Sequence, residues 1–434
     1  MNVKMWTLLK HLASGLLLAG GMLAATRVTG ADVIMSAPPT DTTPPAMQED
    51  LLNNIMNVFA PFGTSSGNTL PEPFKFGPVT VRPHFNYSFL YGSGVQSSAN
   101  SGQNTIIQTF SPGMTVNLGT HWTLDYTPSL QFYSNRQFHN TVNHSATLVG
   151  GTHYEDWTFG LSQSFSKSDS PLVETAAQTE QEQYGSALTA SRSFNDKMSA
   201  DLALNQNIIS VRSLQTSRDW STLDWLNYQF WPRLNAGIGV GGGYVNISDS
   251  SSGTTNLSQN NPDQTYEQLQ LRINWRATDK ISIALGGGFD DRQFMASGIG
   301  DSLNPIYNAS IQYEPFKHTQ ISFSAGRTVS ASDYYILSQS SEITTIGLNL
   351  NQRLLERYNL NLGVGYSETK YDVSLGPISA NRTDDSYSFN ARLSRSFLKR
   401  GTVAVTYQYG ENSSTALGYG YNSSQIGFEV GFSY

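Results

Sequence analysis

From Val79 to the end of the chain, apolar and polar side chains alternate with period two. At the start, Val79, Val81, Phe85, Tyr87, Phe89 and Tyr91 share one face, and Arg82, His84, Asn86 and Ser88 share the other. Further on, Ile281, Ile283, Leu285 and Phe289 alternate with Ser282, Ala284, Gly286 and Asp290. The closing run sets Ile426, Phe428, Val430, Phe432 and Tyr434 against Gly427, Glu429, Gly431 and Ser433. Strict alternation predicts strands with one apolar face. A soluble sandwich would alternate as well, so the connections decide. Compact turn signals such as Gly119-Thr120-His121, Asn195-Asp196-Lys197, Thr278-Asp279-Lys280 and Lys399-Arg400-Gly401 take turns with long polar loops near 93–103, 167–180, 248–263, 293–303, 329–341, 368–384 and 410–421. Short turns at one end and long loops at the other are the asymmetry of outer-membrane barrels.

The pattern therefore predicts an all-β fold over 79–434: a transmembrane, antiparallel, up-and-down β-barrel of about 18 strands, each long enough to cross a bilayer at a tilt. Two segments are weak. In 219–231, Leu223, Trp225, Leu226 and Tyr228 fall on both faces, and 142–154 carries few apolar residues, so a count of 16 stays open. Either even count puts both chain ends on the short-turn, periplasmic side.

Ahead of the alternating region the character changes twice. Lys4 and Lys10 precede an apolar run from Leu12 to Ala25, and small residues at Thr29-Gly30-Ala31 offer a cut, which predicts an export signal over 1–31. The run is shorter than a spanning helix needs. Residues 32–78 are rich in proline, and Leu51, Leu52, Ile55, Met56 and Phe59 recur at helical spacing. This segment reads as a periplasmic linker with a short amphipathic helix, or as a plug.

Composition supports the membrane reading. Mean hydropathy is -0.33 and only 38% of residues are hydrophobic, yet 12% are aromatic and only 14% charged, where a soluble domain carries about 25% charged residues. A barrel needs that mixture, because each strand meets lipid on one side and water on the other. Cysteine is absent, which removes disulfide scaffolds and thiolate chemistry. A net charge of -7 argues against nucleic acid as a partner.

Candidate chemistry is thin. The glycine runs Gly237-x-Gly239-x-Gly241-Gly242-Gly243, Gly286-Gly287-Gly288 and Gly363-x-Gly365 lie inside strands with no following helix, so they do not form a nucleotide cradle. Glycine on the inner face instead leaves room for curvature or a packed side chain. The seven histidines share no ligand spacing with carboxylates, so neither a metal nor another cofactor is expected. No local Ser-His or Asp-His signature marks an enzyme. Arg82, Asp125, Arg272, Asp290, Arg292, Glu314, Arg392 and Glu429 fall on the polar phase and are the candidate pore-lining charges. Trp122, Trp157, Trp220, Trp231 and Trp275 lie where interfacial girdles would run.

The last strand carries Gln425-x-Gly427-x-x-Val430-x-Phe432 and ends on Tyr434. Gly427, Val430, Phe432 and Tyr434 resemble the signal read by the outer-membrane barrel-assembly machinery. The opening Val81-Arg82-Pro83-His84-Phe85 and the closing Gly431-Phe432-Ser433-Tyr434 resemble the beta-barrel porin 2 family over about residues 78–434. That resemblance implies a passive pore in outer-membrane lipid, and some such barrels accompany exopolysaccharide export. Three functions are thus in view: a channel for small polar solutes, a polysaccharide conduit with a periplasmic export partner, and a non-conducting structural or adhesion barrel. Monomer and trimer are both compatible with the sequence.

Overall fold

The computed structural model describes residues 74–98, 101–172, 175, 177–212, 214–249, 262–295, 300–332, 340–372, 382–398 and 400–434. The expected export signal, the amphipathic helix and most of the proline-rich segment lie outside the described residues. A short strand β1 (Phe74–Phe76) precedes β2 (Val79–Ser98), β3 (Ser101–Leu118), β4 (Trp122–Tyr133), β5 (Thr141–Tyr154), β6 (Trp157–Leu172), β7 (Ala177–Ser193), β8 (Met198–Val211), β9 (Gln215–Trp231) and β10 (Leu234–Asp249). They are followed by β11 (Gln264–Thr278), β12 (Ile281–Phe294), β13 (Ser302–Phe316), β14 (Thr319–Ala331), β15 (Ser340–Leu354), β16 (Tyr358–Asp372), β17 (Arg382–Phe397), β18 (Gly401–Ser414) and β19 (Tyr421–Ser433).

Each of β2 to β19 pairs antiparallel with its sequence neighbours, and β19 returns to pair with β2 from Ser424↔Ser93 to Ser433↔His84. The result is a closed barrel of 18 strands. Closure removes every sheet edge, the one way a sheet can satisfy its backbone in lipid. Both weak segments are full members of the wall: β5 pairs with β4 and β6, and β9 with β8 and β10.

The two phases of the alternation become two surfaces. On β11, Leu269, Leu271, Ile273 and Trp275 are exposed, while Tyr266 and Arg272 between them are buried. On β12, Leu285 and Phe289 point out, while Asp290 and Arg292 are buried. The outer surface is thus apolar and the inner one polar. At the short-turn end the strands join tightly; Leu355 and Glu356 take φ values of 50° and 57°, the mirror-image turn that suits strand twist.

The pairing also reaches back ahead of Val79. β1 pairs with β2 from Phe74↔Val81 to Phe76↔Val79, on the edge that β19 vacates after Ser433↔His84. The Tyr434 amide donates to the Pro83 carbonyl at 3.0 Å, and the Tyr434 ring stacks on Phe74 at 4.4 Å between centroids. The Arg400 guanidinium lies 3.8 Å from the same ring. The short strand β1 and the C-terminal Tyr434 therefore meet at the closing seam.

Candidate functional site

The inner wall is built on glycine. Gly237, Gly239, Gly241 and Gly243 of β10 face inward, flanked by the aromatic residues of β9 and β11. Trp225 is the cross-strand partner of Gly239 and lies over it; a Cβ there would stand 2.8 Å from the indole. Tyr266 lies over Gly243 in the same way, 2.4 Å from where a Cβ would be. This is the room for packed side chains that the glycine run predicted. It also explains the poor alternation of 219–231: Trp225 turns inward to this floor, while Leu226 and Tyr228 point out.

Arginines cover the two rings. The Arg272 guanidinium sits 4.2 Å from the Trp225 ring, and that of Arg292 4.6 Å from Tyr266. Arg272 donates to Asp201 Oδ2 at 2.6 Å and from Nε to Asn227 Oδ1 at 2.9 Å. Asn227 donates in turn to Asp201 at 2.8 Å. Asp201 lies on β8 and Arg272 on β11, so the contact spans two intervening strands across the concave face. Arg292 donates to Asp290 at 2.8 Å and to Gln264 at 3.2 Å, and Gln268 holds the other oxygen of Asp290 at 2.7 Å.

All eight charges singled out in the sequence stand on the face opposite the exposed hydrophobics, but the structure treats them differently. Arg272, Asp290 and Arg292 are buried in the layered wall. Arg392 and Glu429 form a half-buried pair at 3.0 Å. Asp125 accepts hydroxyl bonds from Thr115 at 2.6 Å and Thr127 at 3.1 Å. Arg82 stands on β2 in step with His84, its Nε without a partner, and Glu314 is exposed near the short-turn end of β13. A further pair, Arg382 with Asp384, escaped the sequence reading. Arg382 is enclosed between Tyr371 and Tyr419, at 4.8 and 3.6 Å.

Of the four residues that resemble an assembly signal, Phe432 is exposed on the outer face. Gly427 lies where β19 presses on β2, since a Cβ would stand 1.8 Å from the Phe89 carbonyl. Val430 pairs with Tyr87 of β2 and Val403 of β18, and Tyr434 sits in the seam described above.

The long-loop end is narrowed from within. β13 and β14 pair only from Tyr307↔Arg327 downward, whereas the β14–β15 ladder continues to Ala331↔Ser340. The end of β14, Thr328 to Ser332, has separated from β13 and folded inward. Ala331 packs with Val245 and Tyr266 on the inner face of β10 and β11. Arg292 Nη2 donates to the Val329 carbonyl at 2.7 Å, and Gln215 Nε2 donates to the Ser332 carbonyl. Pro305 lies in the stretch of β13 that β14 has left, where proline costs no ladder bond on that edge.

The β2–β3 hairpin does likewise. Its pairing with β19 ends at Ser93, its register shifts between Gly92 and Val95, and Gln96 donates to the Gly418 carbonyl at 3.2 Å. Gly94 makes the bend: its φ is +72°, and a Cβ would stand 2.0 Å from the Asn422 carbonyl. β2 thereby approaches β6 and β7. At the ends of β6 and β8, Leu172, Ile209, Val211 and Leu214 pack together.

The fold thus defines a class: a closed antiparallel barrel of 18 strands with a polar interior and inward-folded hairpin ends. No protein-family model and no curated protein matches the chain, so the resemblance to the beta-barrel porin 2 family is not confirmed. Among solved structures, the chain is similar to OpdL of Pseudomonas aeruginosa, at 14% identity over 82% of this chain and 98% of that one, with a TM-score of 0.43. It is also similar to OccK11 (OpdR) of Pseudomonas aeruginosa, at 12% identity, 84% and 98% coverage and a TM-score of 0.42. The siderophore receptor PirA from Pseudomonas aeruginosa aligns at 10% identity over 84% and 81% of the two chains, with a TM-score of 0.43.

Proposed function

We propose that the chain is an integral outer-membrane channel for small polar solutes, of the kind the porin family represents, and not an enzyme. The observation that carries this reading is the closed wall of 18 strands, apolar outside and polar inside. A barrel of this strand number leaves an aqueous passage unless something fills it. The buried charges of the inner wall are paired: Arg272 with Asp201, Arg292 with Asp290, Arg382 with Asp384. These pairs keep their own charge within the wall, which suits uncharged or weakly polar solutes. By the usual asymmetry of such barrels, the short turns and both chain ends face the periplasm. The barrel-assembly machinery would then read the strand ending at Tyr434.

A polysaccharide conduit would present open aromatic faces along the lumen. Trp225 and Tyr266 are instead 8% and 7% exposed, each beneath a guanidinium group, which favours the solute channel. Conductance of the refolded barrel in a planar bilayer, with and without residues 32–73, tests the reading. Stable steps in both forms support an open pore and a linker role for the N-terminal segment. Steps only after truncation make that segment a plug. Silence in both overturns the channel and leaves the secretion or structural alternatives.

A further inference from the structure

The inward-folded end of β14 is held by donors from the wall it lies against. Its backbone has lost β13 as a partner beyond Arg327. Two side chains on other strands take over: Arg292 of β12 bonds the Val329 carbonyl, and Gln215 of β9 bonds the Ser332 carbonyl. Between these carbonyls, Ala331 is 6% exposed against Val245 and Tyr266. Arg292 is aimed before it meets the arm, by Asp290 and Gln264 and by the Tyr266 ring beneath it. At 3% exposure its charge does not reach a passing solute.

We propose that Arg292 and Gln215 are positioning residues that latch the Val329–Ser332 end of β14 inside the barrel and so set the size limit of the passage. Arg292 acts through the geometry of its guanidinium, not as a charge met by the solute. The consequence for passage rests on the channel reading; the latch itself stands on the contacts. A planar guanidinium can bond Asp290, Gln264 and the arm at once, whereas an ammonium of the same charge cannot hold that fork. Loss of either donor removes a buried hydrogen bond between the wall and the arm, which favours release of the arm into water.

The chain lacks cysteine, so a single engineered thiol can report the arm's position. Ala331→Cys in vesicle-inserted barrel would be treated with a water-soluble maleimide, with Leu417→Cys, at 97% exposure, as the open control. The background is then changed by Arg292→Lys, which keeps the charge, or by Gln215→Ala, which involves none. Labelling at position 331 should be slow in the parent and rise about tenfold in either variant, the population change expected from losing one buried hydrogen bond. Single-channel conductance should rise in both. Heat-modifiable gel mobility checks folding, and the uncharged Gln215 variant carries the test if Arg292→Lys fails to fold. Unchanged labelling in both variants overturns the latch, as does parent labelling as fast as that of Leu417→Cys. Faster labelling with silent bilayers throughout leaves the latch standing and overturns the channel reading.

Discussion

The glycine floor of β10 makes one substitution, Gly→Ala, act with opposite sign at two places in the wall. At Gly239 the new methyl would stand 2.8–2.9 Å from three atoms of the Trp225 ring. The ring cannot simply lift, because the Arg272 guanidinium is 4.2 Å from its centroid on the way into the lumen. Forcing an extra methyl into a filled site costs about 1–3 kcal/mol. Tilting the indole also forfeits part of a desolvated cation–π contact, worth about 2 kcal/mol at most. Gly239→Ala should therefore destabilise the barrel by about 2–4 kcal/mol. Gly287 of β12 is also mid-strand, but it faces outward, and a Cβ there meets only the Ile306 carbonyl at 3.8 Å. Alanine should be neutral there or stabilising by roughly 0.5–1 kcal/mol, since glycine is a poor strand residue. Urea unfolding in lipid vesicles, followed by heat-modifiable gel mobility, measures both. Midpoints that move together, in the same direction and by similar amounts, would refute the layered wall.

Other consequences follow from single contacts. Asp201→Asn strips the buried Arg272 of its counter-charge and should cost about 3 kcal/mol in the same unfolding assay, with part recovered by adding Arg272→Gln. Gly94→Ala forces a left-handed residue, at about 1–2 kcal/mol, onto a contact with the Asn422 carbonyl. It should expose the β2–β3 end, read as faster maleimide labelling of Val95→Cys, which is 5% exposed in the parent. Phe74→Ala removes the ring stacked on Tyr434 and should lower stability by about 0.5–1.5 kcal/mol, with Tyr434→Ala acting on the same contact so that the double variant is less than additive. Replacing Leu355 and Glu356 by Asn and Gly suits their positive φ values, and the unfolding midpoint should rise by about 1 kcal/mol.

Much of the architecture was legible in residue order. The strands from Val79 onward fall within a few residues of the periodic segments, and the alternation of short and long connections marked which end is which. The strands run further into the long-loop end than expected: 93–98 and 167–172 are strand, though their polarity suggested loop. Where neither face of a strand is apolar, the period that reveals it fades while its backbone pairing continues. The layered wall was half legible. The glycine run announced space on the inner face, but Trp225 looked like a fault in the pattern until its cross-strand partner proved to be Gly239.

The sequence by itself determined the strand count to within two and the phase of the strands that alternate cleanly. Period two fixes the register of such a strand, because a slip of one residue would turn every apolar side chain to the wrong face. Only the tertiary structure decided which charges are open to the lumen and which are buried in pairs, since Asp201 meets Arg272 across strands that are distant in sequence. It also decided that β14 leaves β13 after Arg327 and folds inward. A strand end such as Thr328–Ser332, mostly of small residues, has the same local pattern whether it stands upright in water or lies against the inner wall. The choice between them is made by contacts it cannot itself encode: the Arg292 and Gln215 donors, and the surface of Val245 and Tyr266.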